Sequence, residues 1–214
     1  MTIHICGDST AQSYTAEHAP QTGWGQVLGE YLPGIDINNR AMAGRSTKSF
    51  LAEERLEAIK PLLQPGDLLL IQFAHNDWNE KPERHTDPWT SYTDNLNVFI
   101  DTALAHGAVP VLLTPIPMRC WENGRLRDMH GEYPVAMRQL AKRRGIALLD
   151  VYAEGLRALM DMGEEATRSL YMNLEAGVHA AFPEGKVDDA HTQPAGARLF
   201  AGIVADLLKK NNLV

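Results

Sequence analysis

The sequence alternates short apolar runs with longer stretches of helical periodicity, and this alternation constrains the fold more than any other feature. The apolar runs have the length of buried strands and occur at residues 3–6, 35–38, 68–73, 109–114 and 146–150. Helical patterns occupy the segments between and after them, notably 89–105, 133–144 and 195–210. Right-handed crossovers between alternating strands and helices place helices on both faces of a parallel sheet. We therefore predict an α/β fold.

Length, composition and net charge limit the number of domains and the kinds of molecule that the chain binds. The chain has 214 residues, of which 44% are hydrophobic, and no repeat or linker divides it, so we expect a single domain over residues 1–214. A net charge of -7 argues against binding to nucleic acid or to an anionic membrane surface. No run of about 18 apolar residues is present, so we expect no membrane-spanning segment.

The first ten residues enter a strand without the pattern of an export signal. Cys6 and Cys120 lie far apart and form no CxxC motif, which favours reduced thiols. These features predict a cytoplasmic location, although the mature form of a secreted protein would look the same. The eight histidines show no ligand spacing typical of metal sites, so we expect no metal.

Polar clusters follow three consecutive predicted strands, at residues 7–10, 43–46 and 74–77. In parallel sheets the loops at the carboxyl ends of the strands form the binding crevice. These loops are therefore the candidate functional site. The long segments 118–132 and 163–184 are candidates for substrate contact, because long loops in compact domains often shape binding sites.

The residue types in these loops fit acyl transfer. A serine hydroxyl needs an adjacent base, and the base needs a group that orients it. Asp188 and His191 lie three residues apart in one loop, a spacing that lets the carboxylate accept from the imidazole while the other ring nitrogen faces a serine such as Ser9. Asp189 is the rival carboxylate, and a simple turn before the last helix is the alternative interpretation.

Ester cleavage also requires donors for the oxygen that becomes negative. Glycine allows a backbone N–H to approach a ligand closely, and asparagine supplies a neutral amide donor, so Gly44 and Asn76 meet this requirement. The backbone N–H of Ser9 is a third candidate donor. Taken alone, Gly44 and Asn76 each fit an ordinary turn better than an oxyanion role.

Taken together, four blocks resemble those of SGNH (GDSL) hydrolases: Gly-Asp-Ser at residues 7–9, Gly44, His-Asn-Asp at 75–77 and Asp-x-x-His at 188–191. Further motifs at 22–26, 39–46, 71–77, 114–115 and 130–134 are similar to rhamnogalacturonan acetylesterases of the carbohydrate esterase family 12 type. The resemblance implies a flavodoxin-like three-layer αβα sandwich with a five-stranded parallel sheet and no cofactor. It also implies a catalytic triad of Ser9, Asp188 and His191, oxyanion donors from Ser9, Gly44 and Asn76, and an acetylated pectin oligosaccharide as substrate.

One position departs from the family pattern, because Ala74 stands where these esterases usually have glycine before His-Asn-Asp. If the backbone there requires a positive φ, alanine is strained and the position of Asn76 is affected. Three tryptophans, Trp24, Trp78 and Trp121, are candidates for stacking on sugar rings, with plain packing as the alternative.

Lesser roles and two alternative functions complete the sequence-based prediction. Asp8 and Asp77 are predicted to hold their turns, and His75 to brace the loops around Ser9. The same triad would also serve a lipase or thioesterase acting on longer acyl chains. An inactive carbohydrate-binding protein on the same scaffold is the alternative from another class. The oligomeric state does not follow from the sequence.

Overall fold

Five parallel strands form the central sheet of the computed structural model, which describes all 214 residues. The strands of the chain are β1 (Thr2–Gly7), β2 (Asp36–Asn39), β3 (Leu68–Gln72), β4 (Val109–Leu113), β5 (Trp121–Glu122), β6 (Arg125–Leu126) and β7 (Ala147–Leu149). The order in the central sheet is β2-β1-β3-β4-β7, and every neighbouring pair is parallel. The pair β5 and β6 forms a separate antiparallel hairpin.

Helices connect the strands and cover both faces of the sheet. They are α1 (Trp24–Val27), α2 (Thr47–Ala52), α3 (Ser91–Ala105), α4 (Tyr133–Arg144), α5 (Val151–Met162), α6 (Glu164–Thr167) and α7 (Pro194–Lys210). The end of α4 is set by Gly145, whose φ of 63° is the left-handed conformation that terminates helices. None of the helices combines the length and the apolar character needed to cross a bilayer.

Each strand sends alternate side chains into two separate cores, because successive side chains of a strand point to opposite faces. On β1, Ile3 and Ile5 enter one core, which contains side chains of α1, α5 and α7. Cys6 enters the other core, which is formed with α2, α3 and α4. The result is the predicted three-layer αβα sandwich with a five-stranded parallel sheet, and this prediction is confirmed.

The predicted strands and the three predicted helices are present, with boundaries shifted by one or two residues. Several features were not predicted, among them the short helices α1, α2 and α6. The segment 118–132 contains the β5–β6 hairpin, which turns through Asn123 and Gly124 at positive φ. The helix α5 begins directly after β7, where the Asp150 side chain accepts a hydrogen bond from the N–H of Ala153. The single-domain organisation stays a prediction.

Candidate active site

Ser9 lies on a tight turn directly after β1, at the carboxyl edge of the sheet. Oδ1 of Asp8 holds this turn by accepting from the backbone N–H and the hydroxyl of Thr10, at 2.9 and 2.8 Å. The hydroxyl of Tyr14 donates to the backbone carbonyl of Ser9 at 2.8 Å. Ser9 is only 7% exposed. Its backbone is therefore fixed from both sides, and the predicted turn-holding role of Asp8 fits these contacts.

A continuous hydrogen-bond chain runs from Ser9 to Asp188. Nε2 of His191 lies 2.8 Å from the Ser9 hydroxyl oxygen, and Nδ1 lies 2.8 Å from Oδ2 of Asp188. A carboxylate accepts only, so Nδ1 of a neutral imidazole carries the proton and Nε2 is free to accept from the serine. This is the arrangement in which a histidine acts as general base toward a serine.

The loop that carries the histidine is shaped by Asp188 itself. Oδ1 of Asp188 accepts from the backbone N–H groups of Ala190 and His191, each at 3.0 Å. The second oxygen, Oδ2, lies 2.9 Å from the ammonium of Lys186. Burial raises the pKa of Asp188, but the hydrogen bonds and charges of His191 and Lys186 outweigh it and hold that pKa far below its usual value. Asp188 is therefore ionised wherever the histidine is neutral.

Asp189, the rival carboxylate, faces away from the imidazole. Its Oδ1 accepts from the side-chain amide of Asn173 at 2.8 Å and from Arg119 at 3.4 Å. The backbone N–H of Arg119 also donates to the Asp189 carbonyl at 2.8 Å. Asp189 thus connects the histidine loop to neighbouring segments, and the geometry favours Asp188 as the partner of His191.

Three residues in the loops at the carboxyl edge of the sheet have unused N–H groups. The backbone N–H groups of Ser9 and Gly44 donate to no acceptor within the protein. The side-chain amide of Asn76 uses one N–H to donate to the Arg45 carbonyl at 3.1 Å, which holds it against the Gly44 loop. Gly44 has a φ of +77°, a conformation that a side chain strains. These three groups are suited to stabilise a developing oxyanion.

Asp77 ties the oxyanion loops together. Its Oδ1 accepts from the N–H and the hydroxyl of Thr47, the first residue of α2, at 3.0 and 2.6 Å, and from the hydroxyl of Thr86 at 3.1 Å. Its Oδ2 is buried without a partner. Burial raises the pKa of Asp77 to about 7, against the hydrogen bonds from Thr47 and Thr86. The contacts fit the predicted structural role.

Comparison with known proteins agrees with this geometry. The profile of the GDSL-like lipase/acylhydrolase family matches residues 5–199, a range that includes Ser9, Asp188 and His191 and the three candidate oxyanion donors. The chain belongs to this family. It is accordingly a carboxylic ester hydrolase.

Individual relatives of this GDSL-family chain include rhamnogalacturonan acetylesterase RhgT of Bacillus subtilis (strain 168), which is 38% identical over 213 residues. That alignment covers 99% of this chain and 90% of RhgT. The crystal structure of protein YxiM of Bacillus subtilis superimposes with a TM-score of 0.84 at 27% identity, covering 99% of this chain and 56% of that one. An acetylxylan esterase of Geobacillus stearothermophilus, Axe2, shares the fold with a TM-score of 0.67 at 16% identity, covering 98% of this chain and 92% of that one.

Ala74, the departure from the pattern, has a φ of 140° and is fully buried. A non-glycine residue rarely adopts this conformation, so the backbone is strained two residues before Asn76. The carbonyl of Ala74 still accepts from the N–H of Asp77 at 3.1 Å. The turn therefore keeps its hydrogen bond in spite of the strain.

The three tryptophans have different environments. The prediction that Trp24 stacks on a sugar is wrong, because Trp24 has no exposed surface and its indole N–H donates to Gln72 at 2.9 Å inside the core. Trp78 is 43% exposed and follows Asn76 by two residues. Trp121 is half-buried in the hairpin, where its indole N–H donates to Thr167 at 3.1 Å. Trp78 and Trp121 stay candidates for sugar stacking.

A histidine pair braces the third loop. Nδ1 of His75 lies 3.4 Å from Nε2 of His130, and the two rings meet edge to face at 4.5 Å. Burial lowers the pKa of both imidazoles, so both are neutral at pH 7. No group of three or more acidic, histidine or cysteine side chains forms a metal site.

Sequence analysis missed Lys186 as a partner of the triad carboxylate. Besides Asp188, its ammonium contacts Gln21 at 3.3 Å, so it joins the triad loop to the segment that follows Ser9. The only signal in the sequence is the lysine two residues before Asp188, a spacing that is common in surface loops and does not by itself indicate a site.

Proposed function

We propose that this enzyme removes acetyl groups from carbohydrate, with rhamnogalacturonan oligosaccharides as the substrate. The observation that carries the proposal is the hydrogen-bond chain from Ser9 through His191 to Asp188, with 2.8 Å at both steps, beside three unused N–H donors. The 38% identity to a rhamnogalacturonan acetylesterase over nearly the whole chain supports the substrate.

In the proposed mechanism the Ser9 oxygen attacks the acetyl carbonyl carbon while Nε2 of His191 takes the hydroxyl proton. The carbonyl oxygen becomes negative and accepts hydrogen bonds from Ser9 N–H, Gly44 N–H and the Asn76 amide. The imidazolium, stabilised by Asp188, then returns the proton to the departing sugar oxygen. An acetyl-enzyme remains on Ser9.

Water completes the cycle. His191 removes a proton from the water as it attacks the acetyl-enzyme, and a second tetrahedral intermediate forms with its oxyanion in the same site. Collapse of this intermediate releases acetate, and the proton on His191 returns to Ser9. No cofactor takes part in these steps.

Measurement of acetate release tests the proposal. The substrates are acetylated rhamnogalacturonan fragments, acetylated homogalacturonan and acetylated xylan, with Ser9→Ala as the control. Loss of a triad serine lowers kcat by up to about 10⁶-fold in serine hydrolases, so the variant should release no measurable acetate. Equal release by wild type and Ser9→Ala would contradict the mechanism. Labelling of Ser9 by a serine-directed organophosphate would exclude an inactive binding protein.

The acyl group is tested separately with 4-nitrophenyl acetate and 4-nitrophenyl octanoate. We expect the acetate to be preferred, because the loops after β1 and β3 present polar and aromatic groups such as Gln12, Tyr14 and Trp78. A preference for octanoate would favour a lipase or thioesterase. The cytoplasmic location also stays a prediction, and recovery of the full-length protein from culture medium would contradict it.

A further inference from the structure

The guanidinium of Arg84 lies against the glycine of the oxyanion loop. A methyl group built on the Cα of Gly44 would lie 3.2 Å from Nη2, 3.5 Å from Cζ and 3.7 Å from Nη1 of Arg84. Gly44 has no such group, so the guanidinium packs close to the Cα of Gly44. A substrate whose acetyl oxygen reaches the Gly44 N–H therefore comes close to Arg84.

Arg84 has no acceptor for its side-chain donors. The guanidinium makes no hydrogen bond or ion pair within the protein, although the residue is partly buried. Arg138 and Arg198 are paired: Arg138 forms two 2.8 Å hydrogen bonds with Asp150, and Arg198 pairs with both oxygens of Glu30. The side chains of Arg125, Arg143 and Arg168 also lack an acceptor, but these residues are exposed, whereas Arg84 is partly buried. Five donors at the edge of the site thus remain free for a ligand.

The segment that carries Arg84 is held in place on both sides. On one side the Lys48 ammonium of α2 donates to the Pro82 carbonyl at 2.6 Å, and the backbone N–H of Arg84 closes a turn onto Lys81 at 2.9 Å. On the other side the N–H of Thr86 donates to the Asp77 carbonyl at 2.9 Å. Asp77 also accepts from the N–H of Thr47 at the start of α2, so the same residue holds both the segment of Arg84 and the end of the Gly44 loop.

Charge indicates what this arginine binds. The chain has a net charge of -7, which disfavours the approach of an anionic oligosaccharide. The positive charge of a free arginine at the site attracts an anion locally. Its planar fork of N–H groups matches the two oxygens of a carboxylate. Uronic acids carry such a carboxylate on the same ring as their esterified hydroxyls.

We propose that Arg84 binds the carboxylate of a uronic acid residue at or next to the acetylated sugar, and so selects anionic over neutral acetylated oligosaccharides. The inference rests on the proposed function for the identity of the reaction. It goes beyond that function by assigning the choice of substrate to one residue.

The test compares Arg84→Gln and Arg84→Lys with wild type on acetylated galacturonic acid oligosaccharides and on acetylated xylo-oligosaccharides. Arg143→Gln is the matched control, because it removes the same charge from an exposed position. Arg143 lies at the end of α4, just before the start of β7, and therefore at the edge of the sheet opposite the site. The loss of a charge-assisted hydrogen bond corresponds to about 10–100-fold in affinity. We expect the ratio of kcat/KM for the uronic acid over the neutral substrate to fall by that factor in Arg84→Gln, mainly through KM. Arg84→Lys should recover part of the ratio, and Arg143→Gln should leave it unchanged.

Binding separates this inference from the proposed function. The same substitutions are introduced into Ser9→Ala, and the binding of galacturonic acid trisaccharide and of xylotriose is measured by calorimetry. Loss of galacturonic acid binding in the Arg84→Gln variant alone supports the inference even if wild type releases no acetate, a result that would overturn only the proposed function. Unchanged binding overturns the inference. An equal fall in kcat for both acetylated substrates also overturns it, because Arg84 would then act on the oxyanion.

Discussion

Asp188 and Asp77 are two carboxylates of the site loops that differ in their hydrogen-bond partners and in the direction of their pKa shifts. Asp188, in the loop before α7, has both oxygens engaged by N–H groups and by the Lys186 ammonium, and its pKa is far below the usual range. Asp77, in the loop after β3, has one oxygen engaged by neutral donors and the other buried without a partner, and burial raises its pKa to about 7.

The difference follows from what each carboxylate contacts. Asp188 contacts groups that are positively charged or become so during the reaction. Asp77 accepts hydrogen bonds only from hydroxyls and a backbone N–H, and the nearby charge of Asp8 further raises its pKa. A charge is stabilised by opposite charge and destabilised by burial without it. The surroundings of Asp188 therefore favour its ionised form. The surroundings of Asp77 disfavour its ionised form, although its hydrogen bonds fix the geometry of the loop after β3. Substitutions on each side test this contrast.

The largest effect is expected for Asp188→Asn. An asparagine amide donates to Nδ1 and forces the wrong tautomer on His191, so we expect kcat to fall about 10⁴-fold, as in other serine triads. Asp189→Asn is the control and should change kcat by less than tenfold, because Asp189 does not contact the imidazole. Steady-state kinetics on an acetyl ester measure both, and a larger loss in Asp189→Asn would reverse the assignment.

Asn76→Ala removes one oxyanion donor while the triad stays intact. We expect kcat to fall by about 10²–10³-fold with little change in KM, because this interaction strengthens only as charge develops. Kinetics on 4-nitrophenyl acetate provide the measurement. If KM rose and kcat stayed constant, Asn76 would be a ground-state contact instead.

Asp77→Asn tests the cost of the buried carboxylate. The folded pKa of about 7 exceeds the ordinary value near 3.8, so the folded state binds the proton more tightly and loses stability as pH rises between these values. Relative to wild type, the variant should therefore gain about 2 kcal/mol in the free energy of unfolding between pH 5 and pH 7. Urea unfolding at both pH values measures this gain.

The control is Asp36→Asn, an exposed carboxylate of β2 with no hydrogen-bond partner. It should show no comparable change with pH. A constant difference between wild type and Asp77→Asn across this range would mean that Asp77 titrates normally.

The smallest effect is expected for Ala74→Gly. Relief of strain at φ 140° gains about 1–3 kcal/mol, and the added flexibility of the unfolded chain removes about 0.4–1 kcal/mol, so stability should rise by about 1 kcal/mol. Tm should increase by about 2–4 °C for a chain of this size. Ala103→Gly, at a buried position in the last turn of α3, should instead lower stability by about 1 kcal/mol. Equal destabilisation by both substitutions would show that Ala74 is unstrained.

Much of the fold could be predicted because its signals are local. Strands buried on both faces appear as continuous apolar runs, and Gly145 marks a helix end without reference to the rest of the chain. The hairpin within residues 118–132 could not be predicted in this way, since its two strands have only two residues each and carry no periodic pattern.

For the site, the sequence by itself determined which residue types are present and, through parallel strands, that Ser9, Gly44 and Asn76 meet at one edge of the sheet. The resemblance to the family pattern predicted in addition that Ala74 is strained if its backbone has a positive φ. Tertiary structure decided what depends on distance and burial: that Asp188 and not Asp189 contacts His191, that Trp24 lies in the core, and that Lys186 and Arg84 border the site. Their partners lie in other loops, and hydrogen bonds and desolvation depend on a few ångströms that residue spacing does not encode.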